Sequence, residues 1–141
     1  MGQYELDDDP GRVDRDALWA FLSTEAYWGR WRTRSVVEQQ LDSAWRVVGV
    51  YQAGTGAMIG FARAISDGAG FAYLADVYVD RAHRGRGLGV ELVATMIDRG
   101  PGAGFRWTLH TSDAHGLYER FGFTWPDRTY LERPGANPAT G

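Results

Sequence analysis

The chain has 141 residues and a mass of 15.7 kDa, a length that favours a single domain with its own hydrophobic core. Its net charge of −3 argues against broad binding to nucleic acid. The absence of cysteine excludes disulfides, thiolate metal ligands and a cysteine nucleophile, and all 15 basic residues are arginine, which excludes a Schiff-base lysine.

The N-terminal segment is acidic and lacks the positive charge and apolar run of a secretion signal. No stretch of the sequence approaches the roughly 20 apolar residues that a membrane span requires. The three histidines have no metal-ligand spacing, so we expect no catalytic metal. The sequence therefore predicts a soluble, cytoplasmic protein without a membrane or nucleic-acid partner.

Hydrophobic periodicity predicts the secondary structure in chain order. Two helices come first, then three strands joined by glycine-rich turns, and then a helix, a strand, a short helix and a last strand. The predicted bounds are 14–28 and 35–42 for the first helices, 45–52, 58–66 and 71–79 for the strands, and 88–99, 105–110, 112–122 and 123–131 for the rest. This order predicts an α/β (α+β) fold with a mixed, mostly antiparallel sheet flanked by helices. We expect one domain over residues 1–132 and a mobile tail over 133–141.

One charged residue interrupts the apolar strand 71–79. This strand is apolar on both faces, as expected of a central strand covered by helices, and Asp76 is the exception. A carboxylate in such a strand needs a polar partner.

The turn after this strand is rich in glycine and arginine, with the sequence Arg84-Gly85-Arg86-Gly87-Leu88-Gly89. It precedes a predicted helix, so several backbone N–H groups point in one direction at the positive end of the helix dipole. Glycine lets a ligand approach the backbone closely, and arginine adds charge. The pattern favours a phosphate or pyrophosphate ligand. A purely structural turn is the plain alternative, and a dinucleotide fold fits less well because its glycine spacing differs.

Two motifs resemble those of one known family. Arg84-x-x-Gly87-x-Gly89, which follows Val77-Tyr78-Val79, resembles the acyl-CoA signature Gln/Arg-x-x-Gly-x-Gly/Ala of the GNAT superfamily of N-acyltransferases. The segment 114–123 resembles the family's A-x-x-L-Y-x-x-x-G-F motif. The order of elements agrees over nearly the whole chain.

The resemblance implies where the acyl donor binds. In the family, the sheet splays apart between two central parallel strands, which match 71–79 and 105–110 here, and pantetheine lies in the gap. The backbone of three residues would then bind pantetheine and the thioester carbonyl: Val77, Tyr78 and Val79. The main-chain amides of six residues would bind the pyrophosphate: Arg84, Gly85, Arg86, Gly87, Leu88 and Gly89.

The resemblance also implies catalytic candidates. Tyr118 matches the family's general acid, which protonates the departing CoA thiolate. Tyr73 matches the strand position where members with a recognised base often carry Glu or His. Alternation along the strand places Asp76 on the opposite face, with Leu74 and Tyr78, unless a bulge turns it round. Tyr73, Asp76, Asp67 and a water chain all remain open as the base.

In the family, the loop between the first two helices usually shapes the acceptor pocket, which here implies Trp28, Arg30, Trp31 and Arg32. We expect a small acceptor with an apolar or aromatic part and a carboxylate for arginine to bind. The alternative is that the tryptophans cap the core and the arginines are solvated.

Taken together, the resemblance implies an N-acetyltransferase that transfers the acetyl group of acetyl-CoA to a primary amine by direct attack. It uses no metal, and family members often pair as homodimers. Two alternatives stay open: a non-catalytic acyl-CoA sensor, and a nucleotide- or phosphate-binding domain.

Overall fold

A five-stranded mixed sheet forms the centre of the computed structural model, which describes residues 2–26 and 31–136. The strands are β1 (Tyr4–Asp7), β2 (Arg46–Gln52), β3 (Met58–Ser66), β4 (Phe71–Val79) and β5 (Arg106–Thr108). They lie side by side in this order; the pairs from β1 to β4 are antiparallel, and β5 is parallel to β4. The helices are α1 (Arg15–Thr24), α2 (Arg34–Asp42), α3 (Leu88–Met96) and α4 (His115–Glu119). Short 3-10 turns cover Pro10–Arg12 and Arg81–His83.

Local capping fixes where the first two helices begin. The side chain of Asp14 accepts a hydrogen bond from the backbone N–H of Ala17, and Thr33 caps α2 in the same way through Val36. Each cap satisfies one of the N–H groups that a helix leaves unpaired in its first turn.

Helices cover both faces of the sheet. Residues of α1 and α2 pack with one set of strand residues in an apolar cluster, within which the rings of Phe21 and Tyr78 stack at 3.8 Å. Residues of α3 and α4 form a second cluster with the strand residues of the opposite face, including Leu74. A two-faced sheet of this kind explains why β3 and β4 read as nearly continuous apolar runs.

The predicted helices and the three middle strands are confirmed, with differences at their ends. The first helix ends at Thr24, the third at Met96, and the strand predicted over 105–110 is reduced to β5. The sequence analysis did not predict β1, and the residues 137–141 of the predicted mobile tail lie outside the described part of the chain.

The predicted last strand over 123–131 is wrong, since no strand forms within these described residues. Pro126 lacks a backbone N–H, and Asp127 folds the chain by accepting hydrogen bonds from the N–H and hydroxyl of Thr129. The side chains of Trp125 and Leu131 are left 83% and 92% exposed. As a result β5 is an edge strand and not a central one.

Within residues 2–26 and 31–136, no helix combines the length and the apolar character needed to span a bilayer. The same residues contain no group of three or more His, Asp or Glu side chains arranged to hold a metal ion.

Candidate active site

The parallel strands β4 and β5 pair only at their beginnings. Phe71 pairs with Arg106, Ala72 with Trp107 and Tyr73 with Thr108, and the ladder then ends. Residues 74–79 of β4 therefore have no partner on β5, and we call this opening between the two strands the fork. The predicted splaying of the sheet is confirmed at this point.

A β-bulge on β4 lies beside the fork. Arg63 pairs with Ala75 and Phe61 pairs with Tyr78, so β4 contains one more residue than β3 between the two pairs. Asp76 lies in this interval with a φ of 54°, a left-handed conformation that Asp tolerates better than most residues.

The bulge changes which side chains share a face. Tyr78 packs in the cluster with α1 and α2, whereas Leu74 packs in the cluster with α3. Asp76 contacts Arg63. Arg63 lies two residues after Phe61 on β3, and Phe61 packs in the cluster with α1 and α2, so Arg63 lies on that face. The expectation that Asp76 shares a face with both Leu74 and Tyr78 was therefore wrong, because the extra residue interrupts the alternation.

Two arginines neutralise Asp76. Arg32 donates to both carboxylate oxygens, at 2.9 Å and 2.8 Å, and Arg63 Nε donates to Oδ2 at 2.6 Å. The side chains of Arg32 and Asp76 are each 3% exposed, and Arg32 also donates to Gln40 at 2.7 Å. Burial by itself raises the pKa of Asp76, but the two guanidinium groups outweigh it and lower the pKa to about 2.

This cluster bears on two of the candidate residues. Arg32 was expected to bind an acceptor carboxylate, but its guanidinium is buried and already bound to the carboxylate of Asp76. A carboxylate with a pKa near 2 is a weak base at neutral pH, which favours a structural role for Asp76.

Asp67, the other carboxylate considered as a base, closes the turn before β4. Its Oδ1 accepts from the backbone N–H groups of Ala69, Gly70 and Phe71. These bonds, that of Gly70 first, lower the pKa of the Asp67 carboxyl.

Tyr73 is the last β4 residue of the ladder, and its hydroxyl lies 2.6 Å from His110 Nδ1. His110 Nε2 in turn lies 2.6 Å from Glu132 Oε2. Burial raises the pKa of the Tyr73 hydroxyl, and the negative charge of Glu132 acts in the same direction. Tyr73 is thus connected to two side chains that follow β5 in the chain.

The glycine-rich turn leads from the end of β4 into α3. Gly85 and Gly87 have φ angles of 80° and 76°, and a Cβ added at either would meet nothing within 4 Å. Gly87 is the N-cap of α3 and has no side chain to satisfy the N–H groups of the first turn. The turn is exposed, while Leu88 is buried beneath it. This arrangement leaves an open, positively polarised backbone surface.

The two arginines of the turn form hydrogen bonds with other residues of the chain. Arg84 Nε donates to the backbone carbonyl of Val79 at 2.9 Å, and Arg86 donates to the hydroxyl of Tyr4 at 2.8 Å. That hydroxyl also lies 2.8 Å from His83 Nδ1. These bonds hold the turn against the end of β4 and against β1.

Tyr118 lies on α4 and is 8% exposed. Its ring packs edge-on against Phe123, with the ring centroids 5.8 Å apart. It belongs to the apolar cluster against which Val77 and Val79 pack, so it shares a face of the sheet with these two side chains.

The predicted acceptor loop is described only in part. Trp28 and Arg30 lie outside the described residues, and Trp31 is 36% exposed. The contribution of Trp28, Arg30 and Trp31 to an acceptor pocket stays a prediction.

The sequence analysis missed Arg63, His110 and Glu132 as members of these networks. A signal existed for Arg63, the one charged residue of an otherwise apolar strand. His110 was examined for metal-ligand spacing, and Glu132 follows a segment that was assigned to a strand.

The family model described as "Acetyltransferase (GNAT) family" matches residues 6–123. A GNAT-family protein of Xanthomonas campestris pv. campestris is 34% identical, with a TM-score of 0.87 over 100% of this chain and 99% of that one. A protein of Deinococcus radiodurans R1, assigned as an acetyltransferase, is 26% identical, with a TM-score of 0.72 over 93% of this chain and 89% of the other. No curated protein matches the chain.

A glucosamine-6-phosphate N-acetyltransferase of Arabidopsis thaliana is 13% identical, with a TM-score of 0.61 over 95% of this chain and 99% of that one, and shows a shared fold alone. The match of the family model runs from β1 through α4 and so includes the fork, the glycine-rich turn and Tyr118. The sequence-based resemblance is confirmed: this chain belongs to the GNAT family of acetyltransferases.

Proposed function

We propose that this acetyltransferase uses acetyl-CoA as its acyl donor and a primary amine as its acceptor. The observation that carries the proposal is the continuity of the fork with the glycine-rich turn. β4 leaves its β5 partner after Tyr73, and its far end joins the turn before the uncapped N-terminus of α3. A long substrate with a diphosphate at one end matches that layout.

The residues at both ends of this path suit the donor. At the turn, Gly85 and Gly87 leave the backbone open, and the first-turn N–H groups of α3 suit a diphosphate. Along the fork, β4 presents the main chain of Val77, Tyr78 and Val79 to pantetheine in place of a neighbouring strand. The Val79 carbonyl already accepts a bond from Arg84, so Arg84 holds the turn against the end of β4.

The reaction we propose is a direct transfer. The neutral amine nitrogen attacks the thioester carbon, an amide bond forms, and the carbon–sulfur bond breaks. A backbone N–H of β4 aimed at the carbonyl oxygen would stabilise its developing negative charge. Tyr118 would supply the proton that converts the departing thiolate to a thiol, and the N–H proton that the nitrogen loses as the amide forms would restore the Tyr118 hydroxyl. The chain contains no cysteine that could carry the acetyl group as a thioester.

An assay of CoA thiol release with a panel of amines tests this function. The panel pairs each primary amine with the matching alcohol, and we expect thiol release with amines alone. The protein has no thiol to add to the background. Calorimetry with acetyl-CoA, NAD and ATP tests the donor, and we expect binding of acetyl-CoA only. Binding of NAD or ATP instead, or thiol release that is independent of any amine, would contradict the proposal.

A further inference from the structure

Three titratable side chains form a continuous chain of contacts at the mouth of the fork. Tyr73 Oη lies 2.6 Å from His110 Nδ1, and His110 Nε2 lies 2.6 Å from Glu132 Oε2. The residues are 37 and 22 positions apart along the sequence, so the fold brings them together. We call these three residues the relay triad.

The contacts define the direction in which a proton can move. A carboxylate only accepts hydrogen bonds, so the His110 nitrogen that faces Glu132 carries the hydrogen. In this tautomer Nδ1 has a free lone pair and accepts from the Tyr73 hydroxyl. The Tyr73 oxygen then has lone pairs available on its other side. The relay triad is thus arranged to accept a proton at Tyr73.

The location of the relay triad joins the fork to solvent. Tyr73 is partly buried and is the last β4 residue before the two strands diverge. The side chains of His110 and Glu132 are 38% and 43% exposed. A proton accepted inside the fork therefore has a path to bulk water through groups that solvent reaches.

We propose that Tyr73, with His110 and Glu132 behind it, is the general base that deprotonates the amine acceptor. This inference rests on the proposed function, because a primary alkylamine is mostly protonated at neutral pH and must lose a proton before attack. The ammonium gives a proton to the Tyr73 oxygen while Tyr73 gives its own hydroxyl proton to His110 Nδ1. The products are a neutral amine, an unchanged Tyr73 and an imidazolium ion paired with the Glu132 carboxylate.

Within this scheme the three residues have different roles. Tyr73 is the catalytic residue, since it alone meets the acceptor. His110 receives the proton, and Glu132 is a positioning residue that fixes the tautomer and balances the charge of the imidazolium. The other groups that act on Tyr73 are Tyr130, Arg63 and Asp76, and Tyr130 donates to Glu132 at 3.3 Å. Arg63 and Asp76 are paired in the buried cluster, which also contains Arg32.

A simpler interpretation is that His110 and Glu132 only attach the C-terminal segment to the sheet. The pH dependence of catalysis separates the two interpretations. If His110 stores the acceptor's proton, its loss matters most when the amine is protonated and least when the amine is already neutral. A purely structural attachment would change the rate by a similar factor at every pH.

The test measures kcat/KM for the best alkylamine of the panel at pH 7 and at pH 10, in wild type and His110→Gln. We expect a loss of roughly 100-fold at pH 7, within the usual range for a general base, that shrinks to about threefold at pH 10. The KM for acetyl-CoA should stay unchanged. Tyr73→Phe should show the same pattern, and the double variant should lose little more than either single variant.

His115→Gln is the matched control, because His115 lies outside the relay triad and its ring packs, tilted, against Trp125 with the centroids 5.4 Å apart. It should keep wild-type kinetics at both pH values. An active wild type with an unaffected His110→Gln, or an equal loss at both pH values, would overturn the relay and leave the proposed function intact. A wild type that releases no CoA with any amine would overturn the proposed function, and the relay with it.

A second measurement needs no acceptor. Nitrogen-15 NMR of the histidine side chains in the full chain reports which ring nitrogen carries the hydrogen. We expect His110 to carry it at Nε2 at neutral pH and Glu132→Gln to weaken that preference. A hydrogen on Nδ1 would overturn the relay, because this nitrogen could then accept nothing from Tyr73.

Discussion

Arg32 and Asp76 meet through two parallel hydrogen bonds of 2.9 Å and 2.8 Å although 44 positions separate them in the chain. The contact joins the residue that precedes the N-cap of α2 to the bulge in β4. It therefore fixes Arg32 and the start of α2 relative to the strand that borders the fork.

Removing the charge of Asp76 should destabilise the fold severely. In Asp76→Asn the buried guanidinium groups of Arg32 and Arg63 lose the carboxylate that they share, which typically costs about 3–5 kcal/mol. Urea unfolding of the two proteins measures the difference. Asp16→Asn is the control, because Asp16 pairs with Arg34 while 87% exposed and should change stability by less than about 1 kcal/mol. Equal, small losses in both variants would contradict the importance of the buried cluster.

The same cluster predicts how acid affects stability. The folded pKa of Asp76 is lowered from 3.8 to about 2, so its contribution is fully present above pH 4. The contribution, about 2 kcal/mol from the size of the shift, is lost as the pH falls through the folded pKa. Unfolding free energies measured from pH 5 to pH 2 should fall more steeply for wild type than for Asp76→Asn. Parallel curves for the two proteins would show that Asp76 does not carry the effect.

A methyl group at the glycine-rich turn should separate donor binding from folding. In Gly87→Ala the added Cβ meets no atom within 4 Å. The variant therefore loses only the free energy of straining a left-handed backbone, about 1–2 kcal/mol of stability. The same methyl would stand against the proposed diphosphate, and calorimetry should show at least a roughly 10-fold weaker Kd for acetyl-CoA.

Gly54→Ala is the matched control for this variant. Gly54 has a φ of 89° and the same free space around an added Cβ, but it lies in the hairpin loop between β2 and β3. The two variants should lose similar stability, and Gly54→Ala should keep wild-type affinity. A Gly87→Ala protein that binds acetyl-CoA normally would place the diphosphate elsewhere.

Tyr118→Phe should lower kcat by roughly 100-fold while the affinity for acetyl-CoA stays unchanged, since the phenyl ring keeps the packing and the proton donor is lost. Steady-state kinetics of CoA release measures both quantities. Tyr51→Phe is a suitable comparison, because its hydroxyl is buried without a hydrogen-bond partner among the described residues and it packs on the α1/α2 side. Its kcat should equal that of wild type. Equal kcat values for all three proteins would exclude Tyr118 as the acid.

Most helices and strands were predictable because the periodicity of the apolar residues matches the faces that pack in the two apolar clusters. Tyr4 and Leu6 alternate with acidic residues within β1, a strand pattern that was present in the sequence and not used. The error at 123–131 has a physical reason that was visible in the sequence, because Pro126 and Asp127 are turn residues.

The functional residues divide by how local their signal is. The glycine-rich turn and Tyr118 belong to short contiguous motifs, so the family resemblance could identify them. The orientation of Asp76 depends on the register of β3 against β4, and one extra residue reverses the face. The contacts of Arg32 with Asp76, of Tyr73 with His110 and of His110 with Glu132 join distant segments, and no periodicity encodes them.

The three-residue ladder between β4 and β5 has a consequence for the protein before it meets its donor. Backbone groups of a strand that lack a neighbour can be invaded by an extended segment of another chain, which is a common start of aggregation. A donor that lies along β4 would shield this edge from such segments. Saturation with acetyl-CoA should therefore slow the aggregation of concentrated protein, and this effect does not depend on catalytic turnover.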